Sequence, residues 1–399
     1  MAENDDAESL SSLDSVTEKE IRRSVVIARR KSEGQSEEGL QAGSPDDSKE
    51  ETKLSSEEER LLREEEEEKR KVEQETGQEL IQAARQGNLD EVKDIISFAQ
   101  EEELDILECR VPPLSGSDPA IHWMGFTAIL SAARNGHVDV VRYLQEVGSD
   151  VEAKDQMCYM TPLMWAAYYN RVEVVSLLKT VNPNDVDAQS RTALIIAADQ
   201  GHMDTVEILV WNSSLDAVDA SGSTPLIAAV KAGAFPMAKL LCDYSANIEA
   251  KDIARRTPLM HAARWGFIKT LKLLIKRGAD VDARDKTGWT ALMLASRWNH
   301  PACVSVLLES DPSLTTRDRV VGKNAVMWAA EKHRDVTVLK MLLSVATEEV
   351  LACKDIYGHT ALQLVVNVEA EALIKDRLAE LAEGHSDDDN DDSDNDDDD

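Results

Sequence analysis

The chain repeats itself. A threonine, replaced once by asparagine, opens a common pattern at Thr127, Thr161, Thr192, Thr224, Thr257, Thr290, Asn324 and Thr360, at intervals of 34, 31, 32, 33, 33, 34 and 36 residues. A unit of this length is one supersecondary piece that cannot bury its apolar face alone, so it stacks against its neighbours into an elongated array. The aromatic content, 4%, agrees with this, because one large globular core would lack bulky filler.

Each unit has the same internal logic. Two places after the anchor stands an apolar residue, and five and six places after it a small pair such as Ala132-Ala133, Ala166-Ala167, Ala197-Ala198 or Ala262-Ala263. A Gly or Asn often follows three places later, and then a second apolar helix such as residues 271–275. The unit closes on an apolar-x-Ala-x-Asp pattern ending at Asp155, Asp219, Asp252 or Asp285. Thr-Pro at 161–162, 224–225 and 257–258 suits a helix start, Thr as N-cap and Pro in the first helical position. The small pair lets successive inner helices approach closely, and the Asp suits a tight turn.

This pattern resembles the ankyrin repeat, whose motif Thr-Pro-Leu-His-x-Ala-Ala-x-x-Gly-His is matched by Thr257, Pro258, Leu259, Ala262, Ala263 and Gly266, and again by Gly136-His137 and Gly201-His202. The resemblance covers about residues 78–381 and implies an all-α repeat solenoid of about eight or nine helix-turn-helix units with β-turn fingers. The motif His is replaced by Met164, Met260, Met293 and Met327, and the eighth copy runs into Val365-Val366-Asn367. Residues 78–98, with Leu80, Ala83-Ala84, Gly87, Val92, Ile95 and Ile96, form an N-terminal capping unit, and residues 101–122 an insertion. A helical pattern over 370–381 covers the last repeat.

The formal charge of −32 is carried by the ends: about −12 in residues 1–79, −11 in 382–399 and −9 between them. Residues 1–54 are rich in Ser, Glu, Asp and Gly and are expected to be a disordered arm, as is the Asp-rich tail over 382–399. Within the arm, Arg22-Arg23 and Arg29-Arg30-Lys31-Ser32 read as a nuclear import signal, a basophilic kinase site at Ser32 or, most simply, counter-charge in an acidic arm. Over 55–77, spacings such as Glu59 with Arg63 and Glu66 with Arg70 support a charged single helix, and no a/d apolar stripe marks a coiled coil.

Such acidity opposes binding to nucleic acid or to anionic membrane surfaces. No segment approaches the roughly 18 consecutive apolar residues of a membrane span. Residues 1–14 are acidic where a signal peptide is basic and then apolar. A cytoplasmic or nuclear location follows as the expectation. Cys109, Cys158, Cys242, Cys303 and Cys353 lack a Cys-x-x-Cys pair and read as reduced packing residues.

No constellation asks for catalysis, a cofactor or a metal. His137, His202 and His300 occupy the Gly-His position of the motif, and the other histidines have no partner at ligand spacing. A non-enzymatic chain is the reading. The resemblance implies that the two residues after the small pair face partner proteins from a concave groove. Here they include Arg134, Tyr168, Tyr169, Lys231, Arg264, Trp265, Arg297 and Trp298, a basic and aromatic row in an acidic chain. The residue before the anchor, also a contact position in the family, adds Trp289. Arg and Trp are the residues most enriched at binding hot spots.

The implied function is that of a monomeric adaptor or scaffold for a protein partner with acidic or aromatic segments, and the acidic tail is expected to reach the same groove. The alternative is an acidic chaperone-like protein whose ends bind basic clients such as histones or ribosomal proteins.

Overall fold

The computed structural model describes residues 56–110, 125–332 and 335–388. The chain divides into two units, Met1–Arg63 and Glu64–Asp399, and the second holds all the repeats. The expected disordered arm with its basic island, the end of the tail and most of the 101–122 insertion lie outside the described residues.

The elements are helices, with no strand among the described residues. In chain order come α1 (Ser56–Gln86) and α2 (Leu89–Glu101), then helix pairs α3 (Ala128–Asn135) with α4 (Val138–Glu146), α5 (Pro162–Tyr168) with α6 (Val172–Leu178), and α7 (Ala193–Gln200) with α8 (Met203–Leu209). The pairs continue as α9 (Pro225–Lys231) with α10 (Phe235–Asp243), α11 (Pro258–Trp265) with α12 (Ile268–Lys276), α13 (Ala291–Arg297) with α14 (Pro301–Leu308), and α15 (Ala325–Lys332) with α16 (Thr337–Val345). The chain ends in α17 (Glu348–Ala352), a 3-10 turn at Ala361–Leu364 and α18 (Val368–Asp388). From α3 onward, the odd-numbered inner helices up to α15 pack against one another and the outer helices against one another, giving two layers.

Local chemistry sets the helix starts. Thr161, Thr192, Thr224, Thr257 and Thr290 each accept the amide N–H three residues on, at 3.3 to 3.4 Å. Asn324 replaces threonine with a gain: its Oδ1 accepts Met327 N–H at 3.0 Å while its Nδ2 donates to Val350 O at 3.0 Å. Thr127 makes no such bond, and its hydroxyl is buried without a partner. The small pair is buried in the first seven copies, with Ala132, Ala133, Ala166, Ala167, Ala262 and Ala263 all 0% exposed.

Before each anchor from Thr161 onward an aspartate ties the turn together. Asp155 accepts the amides of Met157, Cys158 and Met160 at 2.6 to 2.9 Å, and Asp318 those of Val320, Val321 and Lys323 at 2.8 to 2.9 Å. Successive turns are then stitched by one backbone bond each, from Ala188 N to Cys158 O at 2.9 Å through Ile356 N to Val321 O at 3.0 Å.

The Gly-His pairs close the helix ends. His300 shares a hydrogen bond with Arg264 O at 3.0 Å and His202 with Tyr168 O at 2.9 Å, each reaching back to the previous inner helix. Gly266 has φ of 74° and lies so close to the His300 ring that a Cβ there would meet it at 2.7 Å. Asn299, at φ 54°, takes the corresponding place one repeat on.

The ends differ from the sequence reading in three ways. The charged stretch and the first repeat helix are one helix, with no break at 77/78, because Gly77 sits inside α1 and makes room for Cys109 from the following loop. The eighth copy keeps only a single 3-10 turn in place of its inner helix. The last helix runs seven residues beyond Leu381, to Asp388.

The cysteines are free, but they do not share one environment: Cys242 and Cys303 are buried, Cys109 and Cys353 half-buried, and Cys158 is exposed on a turn. Burial pushes the Cys303 thiol up to about 11.

Gly266→Ala should lower stability by about 1–2 kcal/mol, because an L-residue is strained at that φ. Adding His300→Ala should recover part of the loss by removing the ring the new methyl would strike, a non-additivity readable by urea denaturation.

Candidate protein-binding face

An inner helix of two turns buries its small pair and thereby points the next two residues away from the core. The structure places eight of the nine candidate residues there, with Trp289 just ahead of the anchor Thr290, and apart from Lys231 they separate into two clusters rather than one continuous row.

The first cluster is built on α3 and α5. The Arg134 guanidinium donates to Tyr169 Oη at 3.0 Å and lies 5.1 to 5.7 Å from the rings of Tyr169, Trp165 and Phe126. Tyr169 stacks on Trp165 with centroids 6.0 Å apart and meets Tyr168 edge to face at 5.0 Å. Arg171 closes the group, its Nε donating to Arg134 O at 3.0 Å.

The next two repeats interrupt the aromatic character. Their positions carry Asp199-Gln200 and Lys231-Ala232, and Lys231 stands exposed at the end of α9.

The second cluster is a ladder across α11, α13 and α15. Arg264 lies against its neighbour Trp265 at 5.5 Å and against Trp298 of the next repeat at 5.7 Å. Arg297 lies against Trp298 at 6.0 Å, Trp289 at 5.9 Å and Trp328 at 4.7 Å. Trp289 and Trp328 pack together at 4.6 Å, and Lys323 covers Trp328 at 5.2 Å while pairing with Glu331 at 2.9 Å. Trp265 remains 55% and Trp298 50% exposed, whereas Trp328 is 8% exposed. Among the described residues Arg264 has no carboxylate partner.

Three side chains of these inner helices share one register, and two of them, Trp165 and Trp328, join the clusters. Trp165, His261 and Trp328 all stand four places after their anchors, and each bonds the turn aspartate behind it: Trp165 Nε1 to Asp155 at 3.1 Å, Trp328 Nε1 to Asp318 at 3.3 Å, His261 Nε2 with Asp252 at 3.0 Å. Trp165 and Trp328 therefore have a structural hydrogen bond and also supply the ring on which an arginine rests. The signal that could have found them is this shared offset from the anchor.

Stacking against a ring leaves the in-plane N–H groups of a guanidinium free to meet carboxylates. Arg264 thus offers donor edges beside the apolar indole surface of Trp265 and Trp298. Among the described residues no group of three or more His, Cys, Asp or Glu is placed to hold a metal ion. No helix among them is long and apolar enough to cross a membrane.

The His261 imidazole is held below its ordinary pKa, chiefly by burial, with the Asp252 hydrogen bond opposing part of that effect. Its unfolded state therefore takes up a proton first, and the associated stability is present above the usual histidine range and lost as pH falls through it. Between pH about 7.5 and about 5 the native chain should lose more stability than His261→Gln, which keeps a donor for Asp252 without titrating. Urea midpoints at the two pH values would check this.

Comparison with known proteins adds an independent line. The family model described as ankyrin repeats matches three times, over residues 80–187, 163–252 and 250–318. A probable E3 ubiquitin-protein ligase, XBOS33 of Oryza sativa subsp. japonica, is 31% identical over 138 residues, 34% of this chain and 24% of that protein. Ankyrin repeat and SOCS box protein 3 of Homo sapiens is 35% identical over 101 residues, 24% of this chain and 19% of that protein. These matches thus span about a quarter or less of the relatives' length. The human ASB11 ankyrin repeat domain superposes with a TM-score of 0.49 at 23% identity, covering 55% of this chain and 98% of that one. The ankyrin repeat domain of Bcl-3 gives 0.49 at 26%, with the same coverage.

Proposed function

Because this chain belongs to the ankyrin repeat family, whose repeat domains are protein-interaction modules, we propose that it is an adaptor that holds a partner protein on the Arg–Trp ladder of α11, α13 and α15. One observation carries the reading: two half-exposed tryptophans, Trp265 and Trp298, interleaved with Arg264 and Arg297 on adjacent repeats. The partner is a peptide or surface with carboxylates beside an aromatic or apolar side chain. Arg264, Trp265, Arg297 and Trp298 make the contact, Trp289 acts by supporting Arg297, and Arg134, Tyr168 and Tyr169 form a second contact, with Lys231 between the two. The chain works as a monomer in the cytoplasm or nucleus, and catalysis is no part of this role.

The alternative, an acidic sink for basic clients, places binding in the ends of the chain, outside the described residues. Selection from a displayed peptide library followed by substitution separates the two. Arg264→Ala and Trp298→Ala should each weaken the selected acidic-aromatic peptide about 30-fold or more, the effect of losing a hot spot of roughly 2 kcal/mol. Unchanged affinity after both substitutions, or selection of basic peptides alone, would sink the adaptor reading.

A further inference from the structure

A second site lies among the turns at the other end of the repeat units. Arg284, Arg317 and Lys354 occupy the same place in three successive copies, the residue just before the turn aspartates Asp285, Asp318 and Asp355. They line an open cleft of about 450 Å³, together with the hydroxyl-bearing Thr315 and Thr316. Arg284 is steered by Nη2 donating to Arg317 O at 2.6 Å and Nε to Gly288 O at 3.4 Å, and Arg317 by Nη1 donating to Lys354 O at 3.0 Å.

The acids in the cleft wall serve the turns, and the second oxygen of Asp355, Oδ2, is buried without a hydrogen bond, 3.6 Å from His359 Nδ1. Asp318 accepts three turn amides and the Trp328 indole, and Asp355 accepts the amides of Tyr357 and His359 at 2.9 and 2.8 Å. Among the described residues none of Arg284, Arg317 and Lys354 is ion-paired. In a chain of net charge −32, three cations without carboxylate partners around one cleft call for an acidic occupant.

The course of α18 points to which one. Lys340 pairs with Glu369 at 3.0 Å and Arg377 donates to Ala346 O at 3.2 Å, so α18 runs parallel to α16 and passes its C-terminal end. The helix continues from Arg377 to Asp388, roughly 16 Å further on at 1.5 Å per residue. It also packs against α17, which leads directly into Lys354. Residues 389–399 add up to roughly 36 Å of reach, several times the separation of neighbouring repeats. From Ser386 onward the chain is Asp, Asn and Ser alone, ten of the fourteen residues being Asp.

We propose that the cleft of Arg284, Arg317 and Lys354 is the docking site of the chain's own acidic tail, residues 389–399. The tail is thereby held at the turns, away from the Arg–Trp ladder where the sequence alone would set it.

Zero-length carbodiimide cross-linking of the full chain, read by mass spectrometry, tests this, because it joins a lysine amine only to a carboxylate in contact with it. The expected result is an isopeptide bond from Lys354 to an aspartate of the tail, formed within one chain and suppressed by about 0.5 M NaCl. In the Arg284→Gln/Arg317→Gln variant it should fall roughly fivefold, as the loss of two exposed ion pairs implies. Absence of the Lys354 link in the native chain, tail links concentrated on Lys231, or links found only between isotopically distinct copies would overturn the proposal. The native linkage map decides even if the double variant folds poorly.

Discussion

The close approach of one inner helix to the next is the constraint on which the rest depends. Alanine at both positions of the small pair brings successive helices together with nothing larger than a methyl group between them, and these residues are fully buried in α3, α5 and α11. That spacing does more than pack a core. It decides which side chains of neighbouring repeats can meet, and Arg264 reaches Trp298 only because the helices that carry them lie side by side. A bulky residue at Ala263 or Ala295 would therefore push the ladder apart as well as strain the core.

The turn aspartate is the second fixed element, and it links the scaffold to the face. Its carboxylate gathers amides that would otherwise lack partners in a tight turn, and at three copies it also holds the side chain four places after the anchor. Where that side chain is histidine, the position is a buried structural bond. Where it is tryptophan, the same bond orients a large ring outward enough for arginine to lie against it. A small change at one repeat position thus converts a turn lock into part of a surface, without any change in the backbone plan.

Much of this was legible in the sequence. The anchors, the small pairs and the Gly-His positions are local signals whose meaning repeats at each period, so the helix pairs and the two layers follow from them. The adjacency of Arg264-Trp265 and Arg297-Trp298 was also readable, because stacking fixes which positions become neighbours. Other features depend on contacts that pattern does not encode. Gly77 looks like a helix end and is a packing site for Cys109, which arrives from over thirty residues away in the chain. Trp165 and Trp328 look like core residues when read by position alone, and Lys323 gives no sign in sequence that it lies buried against Glu331 and Trp328.

The distribution of cations carries the synthesis one step further. Arg191, Arg277 and Arg377 pair with carboxylates, but at the two candidate sites the neighbours of the arginines are of two other kinds. On the inner helices the partners are aromatic rings, which leave the donor edges of Arg264 open and place apolar surface beside them. At the turns the partners of Arg284 and Arg317 are backbone carbonyls, which fix the side chains but supply no full negative charge. Because ring stacking favours a ligand with apolar surface as well as carboxylates, and carbonyl anchoring favours charge alone, the two sites select different ligands. A purely acidic segment gains most at the turns, which leaves the ladder open to a partner that brings an aromatic or apolar group of its own.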